Sequence, residues 1–178
     1  ALVEGSYGRR KLIVRINSLD SRWGEDDLKA VAGMGADAVP LPQVENRAMV
    51  LAAMAIIDRL GGPTDLPIWC MMETPLAMLH AEEIAFAHKR VGCFVMGTSD
   101  LAKDLHSTHT LSRTPLMTSL ELCILAARAA GIGILDGVHP IRDDGELAEV
   151  GSRFFHDWRF FVDVAVGGSG SNRKTFMN

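Results

Sequence analysis

Apolar residues fall in two rhythms along the chain, and the rhythms alternate. Short apolar runs without helical spacing occupy residues 11–16, 36–42, 66–72, 93–96 and 133–138. That is the pattern of strands buried on both faces. Between them apolar residues recur three and four apart: Leu28, Val31 and Ala32 within 21–34, the Ala- and Met-rich stretch 45–60, residues 74–90, and Leu116, Leu120, Ile124 and Ala127 within 115–130. These stretches predict helices, stopped by Gly33 and Gly35, by Gly61-Gly62-Pro63, and by Gly131. Thr74 and Pro75 suit the cap and first position of the third helix. The prolines of Ala36-Asp-Ala-Val-Pro-Leu-Pro42 predict a short or irregular strand. Residues 101–113 read as a polar loop, and a further helix is expected from about Gly145.

Strands alternating with helices across short connections predict an α/β fold with parallel strands. In that arrangement Arg15, Gln43, Glu73, Asp100 and Asp136 fall at the C-terminal ends of successive strands. A (β/α)8 barrel brings those ends together at one mouth. An open doubly wound sheet gathers them only near a switch point, and no glycine-rich fingerprint supports a dinucleotide there.

Composition narrows the partners. At 178 residues, 48% hydrophobic, with a net charge of −4 and mixed signs throughout, the chain can bury one sizeable core but offers no basic face to nucleic acid or membrane. Cys70, Cys93 and Cys123 sit singly in apolar runs, as reduced core thiols of a cytoplasmic protein would. No stretch has the pattern of a signal peptide or a membrane span. The chain opens on Ala1 rather than methionine, so a cut or processed N-terminus is expected. From Gly151 the character changes, first to an aromatic run over 153–161 and then to a Gly/Ser-rich stretch over 167–175. The latter imitates a phosphate-cradling loop, but Arg173 takes the second glycine position and no room is left for the helix, so a flexible tail is expected.

Two of the apolar runs close on carboxylates, Met72-Glu73-Thr74-Pro75 and Gly97-Thr-Ser-Asp100. Two carboxylates at neighbouring strand ends suit a hard cation, since Mg²⁺ is held by one or two of them with water and substrate oxygens completing the octahedron. The alternative is that Glu73 caps the next helix and Asp100 sits in an ordinary turn. Arg15 either pairs with a substrate carboxylate or oxyanion or makes a surface ion pair. The amides after Thr74 would lie beside Glu73, where a substrate carboxylate can bind. His106 and His109 stand in a Ser/Thr-rich stretch without metal-ligand spacing and read as solvated loop residues.

The series Val14-Arg15-Ile16-Asn17, Gly35-Ala-Asp-Ala-Val-Pro-Leu-Pro42-Gln-Val-Glu45, Met72-Glu73-Thr74-Pro75, Gly97-Thr-Ser-Asp100-Leu and Leu135-Asp136-Gly137-Val138 resembles the citrate lyase β-subunit-like branch of the HpcH/HpaI aldolase family. The resemblance implies a TIM barrel, a homo-oligomer and Mg²⁺, with Mn²⁺ as a substitute. It further implies cleavage or formation of a C–C bond in a 3-hydroxy-acyl thioester such as citryl-, malyl- or citramalyl-CoA, with an acyl thioester and a 2-oxo acid as products. Carried onto this chain, it makes Glu73 and Asp100 the metal ligands and Arg15 the catalytic cation. Gln43, Glu73, Thr74, Pro75 and Asp136 join Arg15 in binding substrate. Gln43 stands where the family usually has lysine, which removes a positive charge. Set against that family, the chain is expected to lack the first two βα units and to have an altered last strand. The expectation is therefore an incomplete barrel over residues 1–150 with an atypical tail over 151–178, marginal or inactive as it stands. The rival readings are an aldolase acting on free 2-oxo acids such as pyruvate, and a non-catalytic remnant or scaffold subunit.

Overall fold

The computed structural model describes residues 11–108, 110 and 112–137. The expectations for the N-terminal ten residues, His109, Val138, the helix from about Gly145 and the tail from Gly151 lie outside them.

Helix α1 is Gly24–Ala32, strand β1 is Val39–Leu41, and helix α2 is Arg47–Arg59. Then follow β2 (Ile68–Met72), α3 (Pro75–Leu79), α4 (Ala81–Ala85), β3 (Val91–Met96), α5 (Thr98–Asp104), α6 (Met117–Ala130) and β4 (Gly133–Leu135). All strand pairs are parallel, in the order β1-β2-β3-β4. A single bridge from Ile13 to Ala38 extends the sheet on the β1 side. The order follows the sequence without reversal, so among the described strands there is no switch point of the doubly wound kind.

The local reasons are visible in each element. In α2 the Asn46 side chain accepts the Met49 N–H at 3.0 Å, and Val50, Ala53, Met54 and Ile57 bury one face. In α6 Leu120, Cys123, Ala126 and Ala127 do the same, and Gly131, at φ 69°, ends the helix as its position predicts. The helices cover one side of the sheet, where Val39, Leu41, Ile68, Cys70, Met72, Phe94 and Met96 join the main core. Each fully buried side chain there, such as Ile57 or Phe94, contributes roughly 1.5–3 kcal/mol.

Four expectations need correction. The run 11–16 pairs only through the Ile13 bridge, with Val14 and Ile16 amides reaching the Ala38 and Pro40 carbonyls at 3.3 and 3.4 Å. The first helix starts later than expected because Ser18 and Ser21 fold the chain into a turn, the Ser21 hydroxyl donating to the Ser18 carbonyl at 2.6 Å. The helix expected over 74–90 is two short ones, broken at His80, whose ψ of 16° leaves the helical range while its Nδ1 lies 2.8 Å from the Glu45 carbonyl. Residues 98–104, partly read as loop, form α5, because Thr98, Leu101 and Ala102 are buried together on one side.

Candidate metal-binding and active site

Strand parity decides which side chains meet. Ile68, Cys70, Met72, Phe94 and Met96 point under the helices, so Trp69, Met71, Cys93 and Val95 face the other way. With Leu135 they make a second, smaller apolar cluster. Successive side chains alternate across a strand, so Glu73 and Gly97, each two residues past a member of that cluster, stand on its side. Their contact bears this out: a Cβ on Gly97 would lie 2.3 Å from the Glu73 Cβ and 2.6 Å from its Oε2. Arg15 reaches the same face. Its neighbours Val14 and Ile16 enter the main core, while its own Nη1 lies 4.0 Å from the Met71 sulfur.

Glu73 is 3% exposed. Its Oε1 accepts the main-chain N–H of Gln43 at 2.7 Å. Gln43 has φ 53°, a left-handed conformation rare for a residue with a side chain, and that turn aims its amide at the carboxylate. The expected contribution of Gln43 was its side chain. Gln43 is exposed, and it is its backbone that meets Glu73.

Asp100 is exposed and stands in the first turn of α5, one turn beyond the strand rather than at its end. Met72 and Met96 are register partners, and the Gly97 N–H donates to the Met72 carbonyl at 2.9 Å. The Glu73 segment and the Gly97–Asp100 segment therefore leave the sheet side by side.

Thr74 caps α3 as expected, its hydroxyl accepting the Ala77 N–H at 3.2 Å, with Pro75 at the first position. That bond occupies one of the amides expected for a substrate carboxylate, and the helix behind it has only five residues. Asp136 is engaged elsewhere: Arg113 Nη1 and Nη2 grip its two oxygens at 2.5 and 2.6 Å. His106 is exposed. Burial pushes the Cys93 and Cys123 thiols up to about 12 and raises Cys70 further, so all three stay protonated at neutral pH.

Among the described residues no group of three or more His, Cys, Asp or Glu gathers in metal-ligand fashion. A hard cation that keeps several waters asks only for one or two carboxylates. Glu73, buried with one oxygen on a neutral amide, and Asp100, open to solvent on the adjacent segment, fit such an ion; their all-oxygen character disfavours zinc or copper. Sequence reasoning missed the Gln43 amide and Gly97 at Glu73, and the Arg113 partner of Asp136. Only Gly97 carried a signal, as the glycine between a strand and an acidic segment.

The family model described as HpcH/HpaI aldolase/citrate lyase matches residues 5–166. The chain belongs to that family. Among relatives, a (3S)-malyl-CoA thioesterase of Cereibacter sphaeroides (strain ATCC 17025) is 49% identical over 150 residues, which cover 83% of this chain and 50% of the relative. The citrate lyase subunit beta of Escherichia coli (strain K12) is 34% identical over 144 residues, 78% of this chain and 48% of that one. The chain thus spans about half the length of the curated relatives it matches. In three dimensions it resembles protein CitE from Mycobacterium tuberculosis, solved in complex with magnesium and pyruvate. The TM-score is 0.64 at 28% identity, covering 77% of this chain and 55% of that one. No helix among the described residues of this family member is long and apolar enough to cross a membrane.

Proposed function

We propose that this chain carries the metal- and substrate-binding half of a Mg²⁺-dependent C–C lyase acting on a 3-hydroxy-acyl thioester of the malyl-CoA or citryl-CoA type, and that its sheet is an arc of a (β/α)8 barrel over residues 1–150. The observation that carries the reading is the buried Glu73 carboxylate, on the same sheet face as Arg15 and beside the segment leading to Asp100. Relatives named for malyl-CoA and citrate chemistry, and a neighbour solved with magnesium and pyruvate, support the substrate class.

A bound Mg²⁺ would supply Lewis-acid stabilisation for charge developing on the oxygens of a 2-oxo acid. Glu73 and Asp100 would hold it. Gln43 orients Glu73 through its amide, so the carboxylate enters the reaction already aimed. Arg15 presents a planar fork of donors to the thioester oxygen, where negative charge grows as the C–C bond breaks. The products are an acyl thioester and a 2-oxo acid, bound and released at one mouth.

Calorimetric titration with Mg²⁺ should show a site that Glu73→Gln and Asp100→Asn each abolish; unchanged binding in both variants sinks the assignment. The 49%-identical relative named as a thioesterase favours a second reading, hydrolysis of the thioester itself. Products decide between them. A 2-oxo acid without free thiol supports the lyase, and free thiol with an intact hydroxy acid supports the thioesterase.

A further inference from the structure

We infer that Arg113 is a positioning residue that sets Asp100 for metal binding, acting through Asp136 and the end of β4. The inference rests on the reading of Glu73 and Asp100 as the metal site. It starts from a group that the proposed chemistry does not use. Arg113 is 1% exposed, the largest fully buried side chain among the described residues. It adopts φ 54°, and its Nε has no hydrogen-bond partner among the described residues. A left-handed arginine with an unpaired buried N–H is a poor contribution to stability, and an apolar residue of similar volume would pack there at lower cost. What an apolar residue lacks is direction. The guanidinium holds both oxygens of Asp136 in a planar fork, which fixes angle as well as distance.

Two connections lead from Arg113 to Asp100. Its backbone opens the short 3₁₀ turn Thr114–Leu116, the Arg113 carbonyl accepting the Leu116 N–H at 2.8 Å, and that turn packs against α5. Asp136 Oδ1 also accepts the Gly137 N–H at 2.7 Å, and Gly137 lies so close to the end of β3 that a Cβ there would fall 2.2 Å from the Met96 carbonyl oxygen and 2.7 Å from the Thr98 hydroxyl. Thr98 is the first residue of α5 and is 1% exposed. Both connections therefore converge on the turn that bears Asp100. Asp100 itself has no side-chain hydrogen bond or ion pair among the described residues, so its carboxylate is placed by the backbone beneath it. Arg113 holds that backbone from the helix side and from the sheet side together.

The test uses Mn²⁺ as the probe, with free ion counted by electron paramagnetic resonance, on the 178-residue chain and its Arg113→Met, Arg113→Lys and Gly137→Ala variants. Arg90→Met is the control, because Arg90 is the other buried arginine among the described residues and sits at the far end of the sheet, bonded to the Leu66 and Pro63 carbonyls and to Asp58. All melting temperatures are measured, and binding is compared well below the lowest. Both Arg113 variants should bind Mn²⁺ roughly 10- to 100-fold more weakly, the range for losing a group that orients a ligand. Lysine should not rescue, because it keeps the charge without the fork. Arg90→Met should lower the melting temperature and leave Mn²⁺ affinity at the wild-type value. Wild-type affinity in folded Arg113 variants overturns the inference, as does an equal loss in Arg90→Met at a matched melting temperature. If the Arg113 variants do not fold, Gly137→Ala decides by the same criterion. A wild-type chain that binds no Mn²⁺ overturns the metal-site reading first, and this inference with it.

Discussion

Replacing Gly97 by alanine tests the site with a single methyl group. At φ −89° the Gly97 backbone is open to any residue, so the substitution adds bulk without backbone strain. The new carbon would lie 2.3 Å from the Glu73 Cβ and 2.6 Å from Oε2. Non-bonded carbons rest about 3.5–4.0 Å apart, so the two side chains must separate by roughly 1.2–1.7 Å. Neither can yield freely, since Glu73 is 3% exposed and tied to the Gln43 amide at 2.7 Å, while the Gly97 N–H is tied to Met72. Overpacking of this kind costs about 1–3 kcal/mol. For a chain of this size that is a fall in melting temperature of roughly 2–12 °C. The effect on the site should be larger in proportion, because moving a ligand by about 1 Å commonly costs around 10² in function. Calorimetry with Mg²⁺, beside a thermal melt, reads both quantities. An alanine variant with wild-type Mg²⁺ affinity and an unchanged melt would refute the close packing of Gly97 on Glu73, and with it the account of how that carboxylate is aimed.

Two further outcomes concern stability alone. Asn46→Ala removes the cap of α2 and should lower the free energy of unfolding by about 0.5–2 kcal/mol, seen as an earlier urea midpoint with unchanged slope. Partial burial works against the charged form of Asp37, but the Leu12 amide at 2.7 Å and the Lys11 ammonium at 2.9 Å outweigh it and hold its carboxyl below the usual carboxylate range. A folded value lower than the unfolded one stabilises the protein above about pH 3.9, and the contribution is lost as pH falls through the folded value. Asp37→Asn should therefore be less stable than wild type at neutral pH, with the gap closing in acid; parallel stability curves across that range would contradict the assignment.

The sequence by itself determined the alternation of elements and the placing of Glu73 and Asp136 just past the C-terminal ends of strands. Apolar runs and three-to-four spacing report local burial directly, so the strands around Cys70 and Phe94 and the helices around Ile57 and Cys123 were legible, as were the Thr74 cap and the Gly131 stop. Glu73 and Arg15 were legible as candidates because each follows an apolar run. The tertiary structure decided what those candidates touch. Gln43 meets Glu73 across 30 residues of chain, and its contribution is an amide aimed by a positive φ, which no side-chain pattern encodes. Arg113 meets Asp136 across 23 residues, in an ion pair that no local pattern announces. The break at His80 likewise depends on the Glu45 carbonyl, 35 residues earlier. Periodicity records whether a residue is buried. Strand register and the paths of the connecting turns decide which residue it is buried against.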